Sequence, residues 1–541
     1  MIAQYVKDLK VEFSSYNSNK LIKDLLAGLT VAAVALPLAL AFGVASGADA
    51  ASGLVTAIFS GIIIGFLGGA SFQISGPTGT MVAILIPISA KYGFEGVMAV
   101  AFFSGITLIF VALFKGGRVV AIIPSAVITG FTAGISVIIA FSQIDNFFGT
   151  TSSGETIVQN IASYFNHGFH IQWQPLMFAL LAVGIIVFWP KKWAAVLPPS
   201  LVAIIITLLL NLFGPFNVAE VGQIPRSIFL ENRLSFSFLR PQIFKELFLP
   251  GVSVAALAMI ESLLSGAAGS KMTKEKFHPD RQLMAQGIGN LIIPFFGGVP
   301  ATAALARSSV AIRAGLVTRM TSVFHSLTLL VSMFLLSPVM SRIPLAALAG
   351  VLMVTSWNMN DWKSIKSYFS NKYKIPIAQF LVTMLSTVIF NLTVAILIGI
   401  ALSMILFVVK SSAIEINIAN IDERHQEGHN LTEKMSKVKL VYVTGQLFFG
   451  SQEQLVSTIS SIENVNTIIL SVRGVPNIDH SAMVALEELY FELKERGVNL
   501  LFCGIQPGVK KQFYRSEFNN VVGEENIFNN AVEAIDAVAD S

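Results

Sequence analysis

The stretch Gly297–Val310, GGVPATAALARSSV, follows an apolar run that closes on Pro294-Phe295-Phe296. Two glycines, a proline and a threonine interrupt what would otherwise be a continuous apolar helix, and Arg307 stands just beyond the interruption. A chain that breaks a helix in apolar surroundings and brings a cation to the break is placing exposed backbone donors and a positive charge together. The rest of the sequence decides what those surroundings are.

Only 13% of the 541 residues are charged and 54% are hydrophobic, against about 25% charged in soluble domains; the mean hydropathy is +0.70. Between Leu25 and Ala90 only Asp49 is charged, and Ile375 to Val409 carries no charge. A spanning helix needs about 20 apolar residues, so the first stretch holds about three spans and the second about two. This is a polytopic membrane protein with the lipid bilayer as its solvent. The opening MIAQYVKDLKVEF lacks the short apolar region and cleavage site of a secretory leader. The net charge of +4 lies mostly in loops, and no nucleic-acid partner is expected. Cys503 is the sole cysteine, which excludes an intrachain disulfide and a cysteine-based metal site. No Walker-type loop is present, so ATP-driven pumping is not expected, and neither is an enzymatic activity, a metal or a cofactor.

Apolar segments place fourteen spans near 24–46, 50–70, 76–90, 96–114, 119–143, 174–190, 194–213, 247–269, 282–297, 300–314, 318–340, 343–358, 375–390 and 392–411. Two of them, 76–90 and 300–314, are too short to cross the hydrocarbon alone. Lys7, Lys10, Lys20 and Lys23 precede the first span, Lys115 and Arg118 follow the fourth, and Lys191 and Lys192 follow the sixth. Lys271, Lys274, Lys276 and Arg281 follow the eighth, and Lys363, Lys366, Lys372 and Lys374 the twelfth. All fall on one side, which the positive-inside rule makes cytoplasmic. The loop 214–246, with Arg226, Arg233, Arg240 and Lys245, disobeys the bias but is long and balanced by Glu220, Glu231 and Glu246.

A polar linker over 412–435 leads to a soluble-looking segment, 436–541, so that residues 1–411 form the membrane domain. KLVYVTGQLFF, NTIILSVR and VNLLFCG read as strands, and SAMVALEELYFELKERG has helical apolar spacing. The alternation suggests a small α/β domain with a mostly buried sheet.

Local patterns recur in the membrane part. Ile123-Pro124-Ser125-Ala126…Gly130 matches Ile343-Pro344-Leu345-Ala346…Gly350, 220 residues on; Pro77 in SGPTGT matches Pro300 in GGVPAT, 223 on; and the surroundings of Pro37 match those of Glu261, 224 on. Fourteen spans at this interval make two repeats of seven. An odd number places the two in opposite orientations, as in many secondary transporters, where broken helices meet at the midplane and point their N-termini at an anion. SGPTGT and GGVPAT are then the two breaks, with glycines allowing close backbone approach and prolines near helix starts. Taken singly, each cluster is equally a kink or a close-packing site.

AGLTVAAVALPLALAFGVASG, SGPTGT, ESLLSGAAGSKMT, AQGIGNLIIPFFGGVPATAALARSSVAIRAG and IPLAALAGVLMV together resemble the SulP (sulfate permease) family of anion transporters over nearly the whole length. SVRGVPNIDHSAMVALEEL resembles the core of a STAS domain. The resemblance implies a uracil-permease-type fold, with a core domain of spans 1–4 and 8–11 and a gate domain of spans 5–7 and 12–14. It also implies a cytoplasmic STAS domain, a homodimer and an elevator-like movement of core against gate.

Residue by residue, the resemblance places the anion site at Phe42, Thr78 and Gly79, and at Thr302, Ala303 and Ala304, with Arg307 beside the second break. Relatives often carry glutamine after the first-span proline; Leu38 here removes one polar ligand. Arg307 is alternatively an arginine snorkelling to the cytoplasmic end of a span. Glu261 has no charge within nine residues on either side, and ionisable groups at such depth are usually functional. Sodium-coupled bicarbonate carriers are similar in having an aspartate there with a hydroxyl residue four positions on; this chain has Glu261 and Ser265, one turn apart on one face. A carboxyl at this depth with a guanidinium near is placed to load and release a proton, or else forms a structural ion pair with Arg307. In the C-terminal domain, Asp479-His480-Ser481-Ala482 is similar to the phosphorylated D-x-S-G turn of anti-sigma-factor antagonists but lacks the final glycine, and Asp479 or Ser481 is equally a helix N-cap.

The expected activity is secondary active transport of a small inorganic or carboxylate anion (bicarbonate, sulfate or a small dicarboxylate), coupled to a proton rather than sodium, in the cell membrane with both termini cytoplasmic. An anion exchanger, an uncoupled channel of the same fold and a sensor signalling to a cytosolic partner of the STAS domain are the competing readings.

Overall fold

A computed structural model describes residues 2–117, 124–152, 157–190, 192–193, 197–390, 392–421 and 436–540. Arg118, Ile123, Lys191, the starts of the spans read at 119–143 and 194–213, and positions 422–435 of the linker lie outside the described residues. The chain divides into two compact units, 1–400 and 401–541.

The membrane unit is helical. After α1 (Ile2–Phe13), the first repeat runs α2 (Ser18–Ala45), α3 (Ala50–Leu67), a two-residue strand β1 (Ser75–Gly76), α4 (Gly79–Leu113) and α5 (Ser125–Ser142). Two peripheral helices, α6 (Ile144–Phe148) and α7 (Ile157–His167), precede α8 (Trp173–Phe188) and α9 (Pro199–Phe213). The second repeat runs α10 (Pro241–Thr273), α11 (Pro279–Ile292), β2 (Thr302–Ala303), α12 (Leu305–Arg313), α13 (Met320–Met340) and α14 (Leu345–Met359). It ends with α15 (Trp362–Ser370) as a connector, α16 (Lys374–Ile389) and α17 (Leu392–Ser412). Helices α2, α3, α4, α5, α10 and α13 are each long and apolar enough to cross a membrane by themselves. Helix α4 is two spans joined at Gly93, whose φ of 66° and ψ of −163° break the helical path. With α4 counted twice, each repeat has seven spans.

The packing partners obey the repeat. Within the core, α4 lies against α10 and α11, while α13 lies against α2 and α3; in the gate, α5 packs on α16 and α14 on α8. Each relation maps onto the other when the repeats are exchanged, as an inverted pseudo-two-fold requires. The recurring IPxAxxxG motif has a physical cause. Pro124 and Pro344 both stand, extended, at the N-cap of their helices. Gly130 then lets α5 approach α16 until an added Cβ would sit 2.4 Å from the Phe380 carbonyl, and Gly350 does the same for α14 against the Ala179 carbonyl at 2.6 Å. Small residues replace hydrophobic sorting as the means of helix association in lipid.

The second broken helix differs from its sequence-based outline. The span read at 300–314 begins as a helix only at Leu305, because Ile293–Phe296 winds into a 3-10 turn, Gly297 adopts a φ of 89° and the chain then runs extended through β2. Pro300 therefore precedes the strand rather than opening the helix. Thr78 and Ala304 are the equivalent N-cap residues, so the true equivalence lies a few residues beyond the one the prolines suggested.

Two polar assemblies fasten the core. Asp24, fully buried, accepts hydrogen bonds from the Val317 and Thr318 amides and from the hydroxyls of Thr318, Thr321 and Tyr16, at 2.6–3.2 Å, so one carboxylate caps the start of α13 from α2. Helix α1 presents Tyr5, Asp8 and Glu12 on one face: Asp8 pairs with Arg281 at 2.5 Å, Glu12 with Arg319 at 2.9 Å, and both guanidinium groups lie 5.3 Å from the Tyr5 ring.

The second unit holds a five-stranded sheet in the order β3 (Glu415–Asn420), β4 (Val438–Thr444), β5 (Thr467–Gly474), β6 (Asn499–Cys503) and β7 (Ile527–Phe528). Strands β4 to β7 are parallel and β3 is antiparallel to β4. Alternate residues serve opposite faces. Val441, Val443, Ile468, Leu470, Leu500 and Phe502 pack under α18 (Gln452–Ser460), α19 (His480–Glu495), α20 (Pro507–Arg515) and α21 (Phe518–Val522). Leu440, Ile469, Leu501 and Cys503 face α22 (Ala531–Asp540). Burial there pushes the Cys503 thiol pKa up, against a hydrogen bond from Ser471. The linker expected at 412–435 is in its first part the edge strand β3, which is largely exposed. Asp479 caps α19, accepting from the Ala482 amide at 2.8 Å and from the Phe449 amide at 3.1 Å.

Asp24→Ala strands several buried donors, each worth roughly 1–3 kcal/mol. We expect the apparent unfolding temperature of the purified protein to fall by several degrees or more. Unchanged thermal stability of the variant in detergent excludes this role.

Candidate functional site

Strands β1 and β2 pair antiparallel, Ser75 opposite Ala303 and Gly76 opposite Thr302, and all four residues are buried. Because the strands run in opposite directions and each feeds a helix, α4 and α12 leave the crossing in opposite directions with their N-termini at the centre. Neither N-cap residue, Thr78 or Ala304, closes its helix with a side-chain hydrogen bond. The first-turn amides of both helices are thus left as donors without side-chain caps, and the helix dipoles add partial positive charge at the same place.

The extended backbone around the crossing is satisfied by side chains. Asn290 exchanges two hydrogen bonds with Ala301, and the Thr56 hydroxyl accepts from the Val299 amide. The Ala304 amide donates to the Ile74 carbonyl and the Ile74 amide to the Ser308 hydroxyl. Irregular backbone at membrane depth is stable only with such internal partners.

Arg307, the third residue of α12, is 2% exposed. It does not snorkel. Its Nη2 donates to the Pro77 carbonyl at 2.8 Å, and an added Cβ on Gly76 would lie 2.1 Å from Nη1. Nη1 itself has no hydrogen-bond partner among the described residues. A buried guanidinium nitrogen without an acceptor, beside two helix N-termini, is chemically prepared for an anion.

Glu261 reaches the first break. Its Oε2 accepts from the Thr80 hydroxyl at 2.6 Å and from the Thr78 hydroxyl at 3.0 Å, and these hydroxyls are 2.8 Å apart. Glu261 and Arg307 are not among the described ion pairs, which take N···O distances up to 4.0 Å. The hydroxyl of Ser265 is buried with no partner, so it does not meet Glu261, although both lie on α10 one turn apart. Thr80, the last residue of SGPTGT, takes that place, and nothing in its local sequence marks it for this role.

Phe42, Thr78 and Gly79 are brought together. An added Cβ on Gly79 would lie 3.0 Å from the Phe42 ring, 2.9 Å from Ile139 of α5 and 3.3 Å from the Met359 sulfur of α14. The first break therefore abuts gate helices across a small apolar wall. Thr302 is different. Its hydroxyl donates to the Ala258 carbonyl and accepts from Gln286, at 3.2 and 2.8 Å, while Gln286 also accepts from Ser262. That side chain is committed to the core, leaving only backbone at Thr302 and Ala303 for a ligand. Ala304 is half-buried and Leu305 is 44% exposed, so the start of α12 is the accessible side. Among the described residues, no three His, Cys, Asp or Glu side chains converge in a metal-binding group.

Since Arg307 fits only because residue 76 lacks a side chain, Gly76→Ala must displace the guanidinium. We expect Gly76→Ala to lower anion uptake about as much as Arg307→Ala, with the double variant no worse than either, since neighbours acting through one contact are not additive. Fully additive losses in proteoliposome uptake refute the shared role.

The sequence profile of the Sulfate permease family matches residues 21–383, and that of the STAS domain residues 431–534. The chain is 32% identical to the putative sulfate transporter YvdB of Bacillus subtilis, covering 95% of this chain and 97% of that one. It is 28% identical to the bicarbonate transporter BicA of Synechocystis, over 95% and 94% of the two chains. Among solved structures, the murine Solute Carrier 26 family member A9 anion transporter superposes with a TM-score of 0.85 at 18% identity, over 98% of this chain and 93% of that chain. The transmembrane domain of a cyanobacterial BicA superposes at 0.63 with 27% identity, over 72% and 98%. With two broken helices meeting at a buried arginine, an inverted seven-span repeat and a following α/β unit, this chain belongs to the sulfate permease family and carries a STAS domain.

Proposed function

We propose that this protein carries small oxyanions, sulfate or bicarbonate foremost, across the cell membrane and is driven by protons loaded through Glu261. The observation that carries the reading is Arg307 Nη1, buried and without an acceptor, between two helix N-termini that have no side-chain caps. An anion there gains a full charge, two dipole ends and main-chain donors in one place. The wall of Phe42, Ile139 and Met359 around Gly79 favours ions of a few atoms over extended dicarboxylates. Of the relatives named above, one is a putative sulfate transporter and one a bicarbonate transporter.

Proton coupling is supported by the position of Glu261, a carboxyl hydrogen-bonded to the first break yet not ion-paired with Arg307. Both hydroxyls that meet it donate to it, which ties its charge state to the first break. Alternating access is an elevator-like displacement of the core (α2–α4, α10–α13) along the gate (α5, α8, α9, α14, α16, α17) in a homodimer. The even number of spans and the one-sided lysine clusters support both termini and the STAS domain being cytoplasmic.

Uptake of labelled sulfate, bicarbonate and dicarboxylates into proteoliposomes, under imposed pH and sodium gradients, tests the proposal. Accumulation driven by an inward proton gradient is expected; unsaturable downhill flux indicates a channel, and counter-anion dependence an exchanger. Arg307→Ala should weaken anion binding by roughly 2–5 kcal/mol, about 30-fold or more, measured by titration calorimetry. Unchanged affinity removes Arg307 from the site.

Glu261→Gln fixes the neutral state. It should still bind and exchange anion but no longer accumulate it when an inward proton gradient is imposed. Undiminished pH-driven accumulation by this variant, or sodium-driven accumulation by the wild type, overturns the coupling assignment.

A further inference from the structure

Many threonine hydroxyls of the membrane helices are satisfied within their own helix. Thr30, Thr56, Thr107, Thr129, Thr207 and Thr355 all turn back to the carbonyl four residues before them, the usual internal solution for a helical threonine. Thr78 and Thr80 have no such carbonyl. Thr78 is the extended N-cap of α4, Thr80 is the second residue of the helix, and the residues preceding them form β1. Both are nearly buried, at 6% and 7% exposure. Apart from each other at 2.8 Å, the acceptor that reaches their hydroxyl hydrogens is Glu261 Oε2 of α10.

We propose that Thr80, together with Thr78, is the positioning residue that holds the ionised Glu261 carboxylate at the start of α4, so that carboxylate and transported anion contend for one helix N-terminus. This rests on Glu261 being the proton carrier. With the anion absent, the carboxylate supplies the negative charge that the N-terminus of α4 favours. An arriving anion meets that charge, and the two are reconciled when Glu261 takes up a proton. Binding of anion and proton thereby favour one another, which is the sign symport requires. The charged group acting on Glu261 from a neighbouring element is Arg307 of α12. Its own helix carries no other ionisable residue between Glu246 and Lys271. Arg307 attracts both the carboxylate and the anion, so it does not choose between them; the two hydroxyls favour the ionised carboxylate, because they donate.

The sign of the test follows. Removing the Thr80 hydroxyl withdraws a donor from the ionised form, so the variant keeps its proton to higher pH. Uptake and anion binding by wild type, Thr80→Val, Thr80→Ser and Glu261→Gln are measured in parallel from pH 5 to 9, with the protons taken up per anion bound read by calorimetry in buffers of different ionisation enthalpy. In Thr80→Val the midpoint of the pH dependence should move up by about one unit, a tenfold change in proton affinity. Thr80→Ser, which keeps the hydroxyl, should follow the wild type, and Glu261→Gln should bind anion with no pH dependence of this origin. A wild-type midpoint in Thr80→Val, with Glu261→Gln flat, sinks the positioning role while leaving Glu261 as carrier. A pH-dependent Glu261→Gln refutes the carrier assignment instead, and the inference falls with it. If Thr80→Val does not fold, Thr78→Val and Thr80→Ala withdraw donors from the same oxygen and must show an upward shift.

Discussion

The antiparallel crossing of β1 and β2 is the constraint on which the membrane unit depends. In hydrocarbon there is no water to satisfy an interrupted helix, so a break costs several unpaired backbone groups unless protein supplies partners. Here two breaks satisfy each other. Ser75 pairs with Ala303 and Gly76 with Thr302, and the remaining extended backbone of the second break is taken up by Asn290 and Thr56. This explains polar residues on α3 and α11 that would otherwise be costly in a buried bundle.

The crossing also fixes the direction of charge. Two helices that start from opposite strands of one antiparallel pair present their N-termini to the same point. Arg307 lies in the first turn of one of them and reaches under the other to the Pro77 carbonyl. Its approach needs a residue without a side chain at position 76, so strand, glycine and arginine form one steric unit. Glu261 joins the same unit through two hydroxyls. The proposed binding groups belong to the core, whereas Ile139 and Met359, which close on Gly79, belong to the gate. The proposed site therefore lies where core and gate helices meet.

Much of this was legible in the residues. The charge-free runs showed a bundle of spans, and the repeated IPxAxxxG and the two Gly/Pro clusters showed an inverted repeat, because close approach of α5 to α16 and of α14 to α8 demands the same small residue in both halves. The strands β4, β5 and β6 were visible as short apolar runs, since both faces of the sheet are covered. Strand β3 was not, because it is short, its side chains are largely exposed and a polar stretch follows it directly. The face of α1 that holds Tyr5, Asp8 and Glu12 looked only mixed and charged: nothing local says that Arg281 and Arg319 wait for it some 270 to 310 residues away.

By itself the sequence determined the medium, the span count, the two breaks and the residues at them, since each follows from composition or from spacing along one chain. Tertiary structure decided where the polar side chains go. Glu261 and Ser265 share a helix face in sequence, yet Glu261 bonds Thr78 and Thr80 while the Ser265 hydroxyl is left without a partner. Thr302 stands at the second break in sequence, yet its hydroxyl serves Ala258 and Gln286. Helical spacing tells which residues lie on one side of a helix; a hydrogen bond needs a donor and an acceptor from two elements at about 3 Å, and only the crossing of the two broken helices sets that distance.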